Sequence, residues 1–404
     1  MSLSESAWTL LDRALAVYRD SPRADAFLRA HLARMDGPLR LAITGPPKSG
    51  RSTLLDATVG AAVSAQSDRL TVDWPGEVEL IDAEPDIVPA DADALLHLLP
   101  HPGGADLRAL RAAQENPVAR AAPVSAVVVL SRADELGASR VDALVSARQV
   151  ARRHARSAEL RGLCQDVVPV AGLVAFTGAT LTPAEAGALA TLGAVPRPDL
   201  ESSLLSADRF AAPTFPAPID APTRTALLTR LGLFGVRLGI TLARRGFRTQ
   251  EALSTELVRG SGIADLRDAI GACFVDRAET LKARSALIAL DVVLRREPRP
   301  PAAPLAADLE RVLSSTHDLR ELRLLAALRT GRVNLGDPTE EARYLLGGHG
   351  TTPKARLSMT PDPYEAVLRW QALAEDPRLD DRERQAAAVV ARSCEELMLT
   401  TGKR

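Results

Sequence analysis

Residues 39–53 read Leu39-Arg40-Leu41-Ala42-Ile43-Thr44-Gly45-Pro46-Pro47-Lys48-Ser49-Gly50-Arg51-Ser52-Thr53. An apolar run and a glycine-bounded loop lead into Leu54-Leu55-Asp56-Ala57-Thr58-Val59, which has the character of a helix. This is the strand, loop, helix context of a G-x-x-x-x-G-K-[ST] motif, with arginine where lysine is usual. Backbone amides between the two glycines cradle phosphate groups at a helix N-terminus. Gly45, Lys48, Ser49, Gly50, Arg51, Ser52 and Thr53 are therefore the candidate phosphate contacts, and the Ser52 hydroxyl is a candidate Mg²⁺ ligand.

Around that loop the chain has 404 residues, enough for two domains or for one domain with a long appendage. A formal net charge of −1 gives no bulk field to draw it to nucleic acid or anionic lipid. Cys164, Cys273 and Cys394 have neither metal nor redox spacing. Residues Met1–Ser6 lack the layout of a signal peptide, so a reduced, cytoplasmic protein is expected. The most apolar stretch, 226–243, is interrupted by Arg230 and Arg237 and reads as helical core rather than a membrane span. Four lysines stand against 46 arginines, a bias that itself accounts for an arginine at 51.

Residues 7–36 carry apolar positions at helical spacing, broken by Ser21-Pro22, and predict two helices. Residues 38–200 alternate short apolar runs with helical segments, predicting an α/β unit with a largely parallel sheet. Its expected strands are 39–44, 78–82, 94–99, 124–130 and 167–171, and Thr71 also reads as strand. The run 124–130 is apolar on both faces, as a covered central strand should be. Beyond about 201 strand signals vanish. A proline-rich linker at 210–223 precedes long amphipathic stretches near 224–245, 249–258, 263–296, 305–330, 338–346, 362–375 and 380–399. Glu297–Pro304 predicts a sharp inter-helix turn. Gly235 and Gly239 predict close approach of a neighbouring helix. The expected division is 1–37 as N-terminal helices, 38–205 as the nucleotide-type domain and 206–404 as a helical region.

Ser131-Arg132-Ala133-Asp134 follows the central strand, where nucleotide domains of this layout carry an [NT]-K-x-D guanine motif. A carboxylate at Asp134 accepts bonds from guanine's N1–H and exocyclic amine, which adenine does not offer, and Arg132 packs over the base. The strand end Val168–Gly172 brings an amide of Ala171 or Gly172 to guanine O6. Base selection thus points to GTP or GDP over ATP. The γ-phosphate side is poorer. Its candidate sensor is Asp82-Ala83-Glu84-Pro85, in which Asp82 holds Mg²⁺ through water while Pro85 has no N–H to give. Only 28 residues separate Thr53 from Asp82, and Ser64 and Ser67 are weak substitutes for a switch threonine. Arg51 keeps the positive charge but changes its shape. Phosphoryl transfer depends on positioning and charge stabilisation, so nucleotide binding is expected and fast hydrolysis is not. His97 and His101 read as a strand-end and a loop histidine, and Gly347–Thr352 as an inter-helix loop.

With these motifs, Cys164-Gln165-Asp166-Val167-Val168-Pro169-Val170-Ala171-Gly172-Leu173 and segments such as Thr316–Arg323, the chain resembles the mycobacterial isoniazid-inducible proteins, bacterial dynamin-like GTPases. The likeness covers most of residues 1–400 except roughly 60–95, where this chain is shorter. It implies α/β plus all-α architecture: a Ras-like P-loop GTPase head on an elongated helical neck and trunk. It implies a protein that is cytoplasmic or peripheral at the inner face of the plasma membrane, acting in membrane or cell-envelope stress. It further implies a homo- or hetero-dimer with a dynamin-like protein, GTP or GDP with Mg²⁺ as cofactors, and charge compensation at Lys48. Three functions stay open at this point: a nucleotide binder with weak or lost hydrolysis, a GTPase completed by a dimer or partner, and a nucleotide-free scaffold.

Overall fold

The computed structural model describes residues 2–401 except 65–66, 74–75, 86, 102–106, 117, 120–124, 137–141 and 161. The first two helices are α1 (Leu3–Val17) and α2 (Pro22–Arg34). A reciprocal Ser2–Glu5 capping box starts α1, and Ser21 with Pro22 starts α2. Then come β1 (Leu39–Thr44), α3 (Arg51–Val59), β2 (Arg69–Asp73), β3 (Glu77–Asp82) and β4 (Ala94–Leu99). They are followed by β5 (Ala126–Leu130), α4 (Ala143–Ala155), β6 (Asp166–Pro169), α5 (Gly172–Ala179) and α6 (Pro183–Ala194). The rest is helical: α7 (Ala221–Arg244), α8 (Gln250–Arg259), α9 (Ile263–Cys273), α10 (Ala278–Arg296), α11 (Ala303–Ser315), α12 (His317–Arg329), α13 (Pro363–Ala374) and α14 (Asp381–Thr401). Short helical turns at 108–112, 197–201, 207–211, 339–345 and 353–356 connect them.

The sheet runs β2-β3-β1-β4-β5-β6, with β2 antiparallel to β3 and all other pairs parallel. The mostly parallel α/β expectation holds, and every expected strand is present. The structure adds β2 as an antiparallel edge, which contains Thr71. Val124 lies outside the described residues. Chain order reverses on either side of β1, so the carboxyl ends of β1, β3 and β4 flank a switch point, where open α/β sheets bind ligands.

Both faces of the sheet are buried at its centre, where every residue of β4 and β5 is buried, and the edge strand β2 is largely exposed. One face (Leu41, Ile43, Leu96, Leu98, Val127, Val129) shares an apolar cluster with α1, α3 and the helices from α9 into α12. The opposite face (Ala42, Leu95, Leu99, Val128, Leu130) packs on Ala151 and Ala155 of α4. Residues from segments 1–37, 38–205 and 206–404 thus meet in one core. A separate cluster, centred on Trp370, joins the end of α12 to α13 and α14.

Two long helical stretches are each divided. The 263–296 stretch breaks at Phe274 (φ −124°, ψ −55°) and the 305–330 stretch at Thr316 (ψ 120°). Neither break carries a glycine, and the apolar spacing runs through both. The turn at 297–304 forms as expected, with the Tyr18 hydroxyl donating to the Glu297 carbonyl at 2.8 Å.

Helix α7 corrects one reading. It is long and apolar enough to cross a membrane, because two arginines do not lower its mean hydropathy far enough to disqualify it. It kinks at Gly232, and half of its most apolar stretch is buried inside the fold. A Cβ on Gly235 would sit 2.9 Å from Val174 of α5, and one on Gly239 would sit 2.9 Å from Leu189 of α6. Arg230 and Arg237 bond to carbonyls of Thr180 and Leu204. This is core packing, and the two glycines permit it.

Candidate functional site

The loop leaving β1 has the conformation its glycines require. Gly45 has φ 146°, and a Cβ there would stand 2.8 Å from the Leu98 carbonyl oxygen. Gly50 caps α3 with φ 90°. Lys48, with φ 62°, is the only non-glycine residue with positive φ among the described residues. Such alternation of backbone hand builds an anion-binding concavity from successive amides. The first bond of α3 runs from the Leu54 amide to the Gly50 carbonyl at 2.9 Å, so the amides of Arg51, Ser52 and Thr53 have no partner inside the helix.

A cavity of about 510 Å³ opens beside this loop. Lys48, Ser49, Gly50, Arg51, Ser52 and Thr53 line one end, and Ser131, Arg132, Asp134, Glu135, Gly172 and Leu173 the other. The two motifs read separately in the sequence therefore form one site at the carboxyl ends of β1, β5 and β6. Arg132 ties the ends together, with Nη2 donating to the Lys48 carbonyl at 3.0 Å and Nη1 to Glu135 at 3.1 Å. Burial raises the Asp134 carboxyl above its ordinary pKa; the charge of Glu135 adds to this and that of Arg132 opposes it. Of the two candidate backbone donors, the Ala171 amide is committed to the Ser261 carbonyl at 2.8 Å. Gly172, the first residue of α5, is the one that lines the cavity.

Asp82 ends β3, in register with Ile43 of β1. The Arg51 guanidinium stands beside it, with Nη1 3.5 Å from Oδ1. Burial raises the Asp82 pKa, the charge of Arg51 and a hydrogen bond from Ser52 pull it down, and Asp68 pushes it up. Ser52, Arg51 and Asp82 thus share one corner. The Asp82 carboxylate there already faces a permanent cation. A divalent ion added beside it would meet the guanidinium and would draw most of its coordination from phosphate oxygens. Among the described residues no group of three or more His, Cys, Asp or Glu side chains is placed to hold a metal. It is the guanidinium 3.5 Å from Asp82 Oδ1, a cation already in the ion's place, that makes Mg²⁺ fit this corner poorly.

The other γ-side candidates are engaged elsewhere. Ser64 bonds to the Asp56 carboxylate through its amide and hydroxyl, and the Ser67 hydroxyl donates to the Arg69 carbonyl. Pro85 lies in an exposed turn. His97 is buried with Nδ1 3.0 Å from the Thr44 hydroxyl, and His101 is exposed, 3.8 Å from Glu135. Gly347–Thr352 is an inter-helix loop, with His349 stacked on Tyr344.

Sequence reasoning missed three features of this site. Glu135 and Leu173 line the cavity, each directly following a residue already singled out. Gly232, at the α7 kink, approaches Asp134: the nearest carboxylate oxygen would lie 3.9 Å from a Cβ there. Its φ of 64° is the positive-φ geometry that glycine permits, but nothing in the sequence linked residue 232 to residue 134.

No protein-family model matches the chain. The Isoniazid-induced protein IniC of Mycobacterium tuberculosis, from strains CDC 1551 / Oshkosh and ATCC 25618 / H37Rv, is 31% identical over 487 aligned residues. That alignment covers 98% of this chain and 99% of each relative. The aligned span exceeds the 404 residues here, so the relatives carry additional residues within it. The crystal structure of an SsGBP variant overlaps 42% of this chain and 64% of its own, at 16% identity and a TM-score of 0.22. On identity and coverage together, the chain belongs to the family of the isoniazid-induced protein IniC.

Proposed function

We propose that this chain is a dynamin-like guanine-nucleotide-binding protein with weak hydrolysis, acting in the cell-envelope stress response. One observation carries the reading: the phosphate loop, the Ser131–Asp134 turn and Gly172 converge on a single cavity of about 510 Å³. In this reading the amides of Gly50–Thr53 hold the phosphates, with Arg51 and Lys48 supplying positive charge. Asp134 accepts the N1–H and exocyclic amine of guanine. Gly172 offers its amide to O6, and Arg132 holds the base end against the phosphate loop. Hydrolysis is slow in this reading because, among the described residues, no donor replaces the missing N–H of Pro85 and no free hydroxyl stands in for a switch threonine. The head comprises residues 38–205, with 1–37 and 206–404 as neck and trunk. The protein works in the cytoplasm or at the inner membrane face, paired with itself or with a dynamin-like partner.

The test is calorimetric titration of GTP, GDP and ATP into protein at about 100 μM, where micromolar sites register. Guanine-selective heat with slow turnover is the expected result. Turnover that climbs with protein or partner concentration would instead mark a GTPase completed by assembly. Silence with all three nucleotides would overturn the reading and leave a scaffold.

A further inference from the structure

We infer that Arg51 takes the place of the divalent cation in this pocket, so that nucleotide binds without Mg²⁺. The inference rests on the guanine-nucleotide reading above and goes beyond it. In a pocket of this layout, a helix-start hydroxyl and a strand-end carboxylate hold the ion between them and the phosphates. Here those groups are Ser52 and Asp82, and the Arg51 guanidinium is 3.5 Å from Asp82 Oδ1. Arg51 Nη1 and Asp82 Oδ1 are both buried, and neither has a hydrogen-bond partner. They therefore face each other as charges without a saturated bond. Two other residues that line the cavity are in the same state, with the hydroxyls of Ser49 in the loop and Ser131 at the other end both unpaired. Seven other buried atoms among the described residues lack a hydrogen-bond partner as well, but these four gather at one cavity, three lining it and Asp82 pairing with Arg51, where a polar ligand would complete the bonding.

The chemistry of arginine suits this substitution. Its charge is permanent, its donors form a planar fork, and it pairs readily with phosphate in two-point fashion. One edge of the fork can neutralise Asp82 while the remaining N–H groups face the phosphates that the loop amides hold. A metal ion would do the same work by bridging carboxylate and phosphate. The lysine usual at this position delivers a point charge to the phosphates and leaves the carboxylate free for the ion.

The experiment titrates GDP and GTP into the full chain twice, once with excess Mg²⁺ and once with EDTA. The dissociation constants should agree within about threefold. Arg51→Lys should bring metal dependence back, with binding at least about tenfold tighter in Mg²⁺ than in EDTA. Wild-type binding that weakens tenfold or more in EDTA would overturn the inference and leave the guanine-nucleotide reading intact. No binding in either buffer would overturn both. Because the wild-type arm decides between these outcomes, a failure of Arg51→Lys to fold does not blunt the test.

Discussion

Two buried polar clusters in this molecule have opposite habits. Around Glu321, on α12, the carboxylate is saturated: Arg356 donates at 2.5 Å, Ser393 at 2.6 Å and Arg277 at 3.4 Å, with His317 at 3.6 Å. These partners come from four places in the helical region and join the sheet-side core to the Trp370 cluster. Around the phosphate loop, Ser49 Oγ, Ser131 Oγ, Arg51 Nη1 and Asp82 Oδ1 are buried without a hydrogen bond, Arg51 and Asp82 meeting only as an ion pair at 3.5 Å. The first cluster satisfies its carboxylate from within the chain and holds helices together, although Arg277 Nε is left without a partner. In the second, four polar atoms of the loop, the strand end and the far end of the cavity are left without a hydrogen bond. The contrast is between a carboxylate satisfied from within the chain and one whose Oδ1 is not hydrogen-bonded, the condition the proposed nucleotide site requires.

The strongest way to break this comparison is at Glu321. Truncation to alanine leaves buried guanidinium groups without their counter-charge, which costs about 3–5 kcal/mol. Denaturant melts should show that loss while nucleotide affinity, measured on the folded fraction, stays unchanged. A shift in affinity would mean the two clusters are coupled. The acid limb gives a second check. Burial works to raise the Glu321 pKa, but the bond with His317, the charges of Arg356 and Arg277 and the bond from Ser393 prevail and bring it down to about 2. The folded value lies below the ordinary 4.5, so this contribution is fully present above that pH and is lost as pH falls towards about 2. Wild-type stability should therefore drop across that window, and the drop should be shallower in the alanine variant.

At the base end, Asp134→Ala removes two hydrogen bonds to a charged acceptor, each worth about 1.5–3 kcal/mol. Affinity for GDP should fall about 100-fold or more, and the preference over ATP should disappear, while the thermal midpoint of the free protein holds. Retained guanine preference would move base recognition to another residue. Arg132→Ala removes the tie to the Lys48 carbonyl and should weaken binding about fivefold, a loss of roughly 1 kcal/mol. An unchanged Kd would show that the strap does not organise the loop. The smallest effect is expected for Pro85→Gly, which restores an N–H where the γ-phosphate sensor would lie. One well-placed donor in a complete site is worth about 10²–10³ in rate. Single-turnover hydrolysis should nonetheless rise no more than about threefold, because no switch hydroxyl is free among the described residues. A hundredfold gain would make Pro85 the sole block and turn the protein into a latent GTPase.

Much of the candidate site was legible because its parts are local. Gly45 and Gly50 show their backbone roles in the loop itself, whereas the positive φ of Lys48 emerged only in the structure, and Asp134 follows a run that could only be a central strand. Other parts were hidden for equally physical reasons. Whether Ala171 or Gly172 keeps a usable amide depended on Ser261, 90 residues away, whose carbonyl takes the first of them. Helix breaks at Phe274 and Thr316 followed from how the flanking helices pack, since apolar spacing continues through both.

By itself the sequence determined the order of strand, loop and helix, the parallel sheet and the composition of the loop. Each of these is set by interactions between residues a few positions apart: side-chain period, glycine freedom and proline's missing donor. Tertiary structure alone decided that Arg51 would stand against Asp82, that the α7 kink would reach Asp134, and that helices beyond residue 262 would close over the sheet. Those contacts join residues far apart in the chain, and their geometry comes from packing one apolar face on another, which local sequence does not encode.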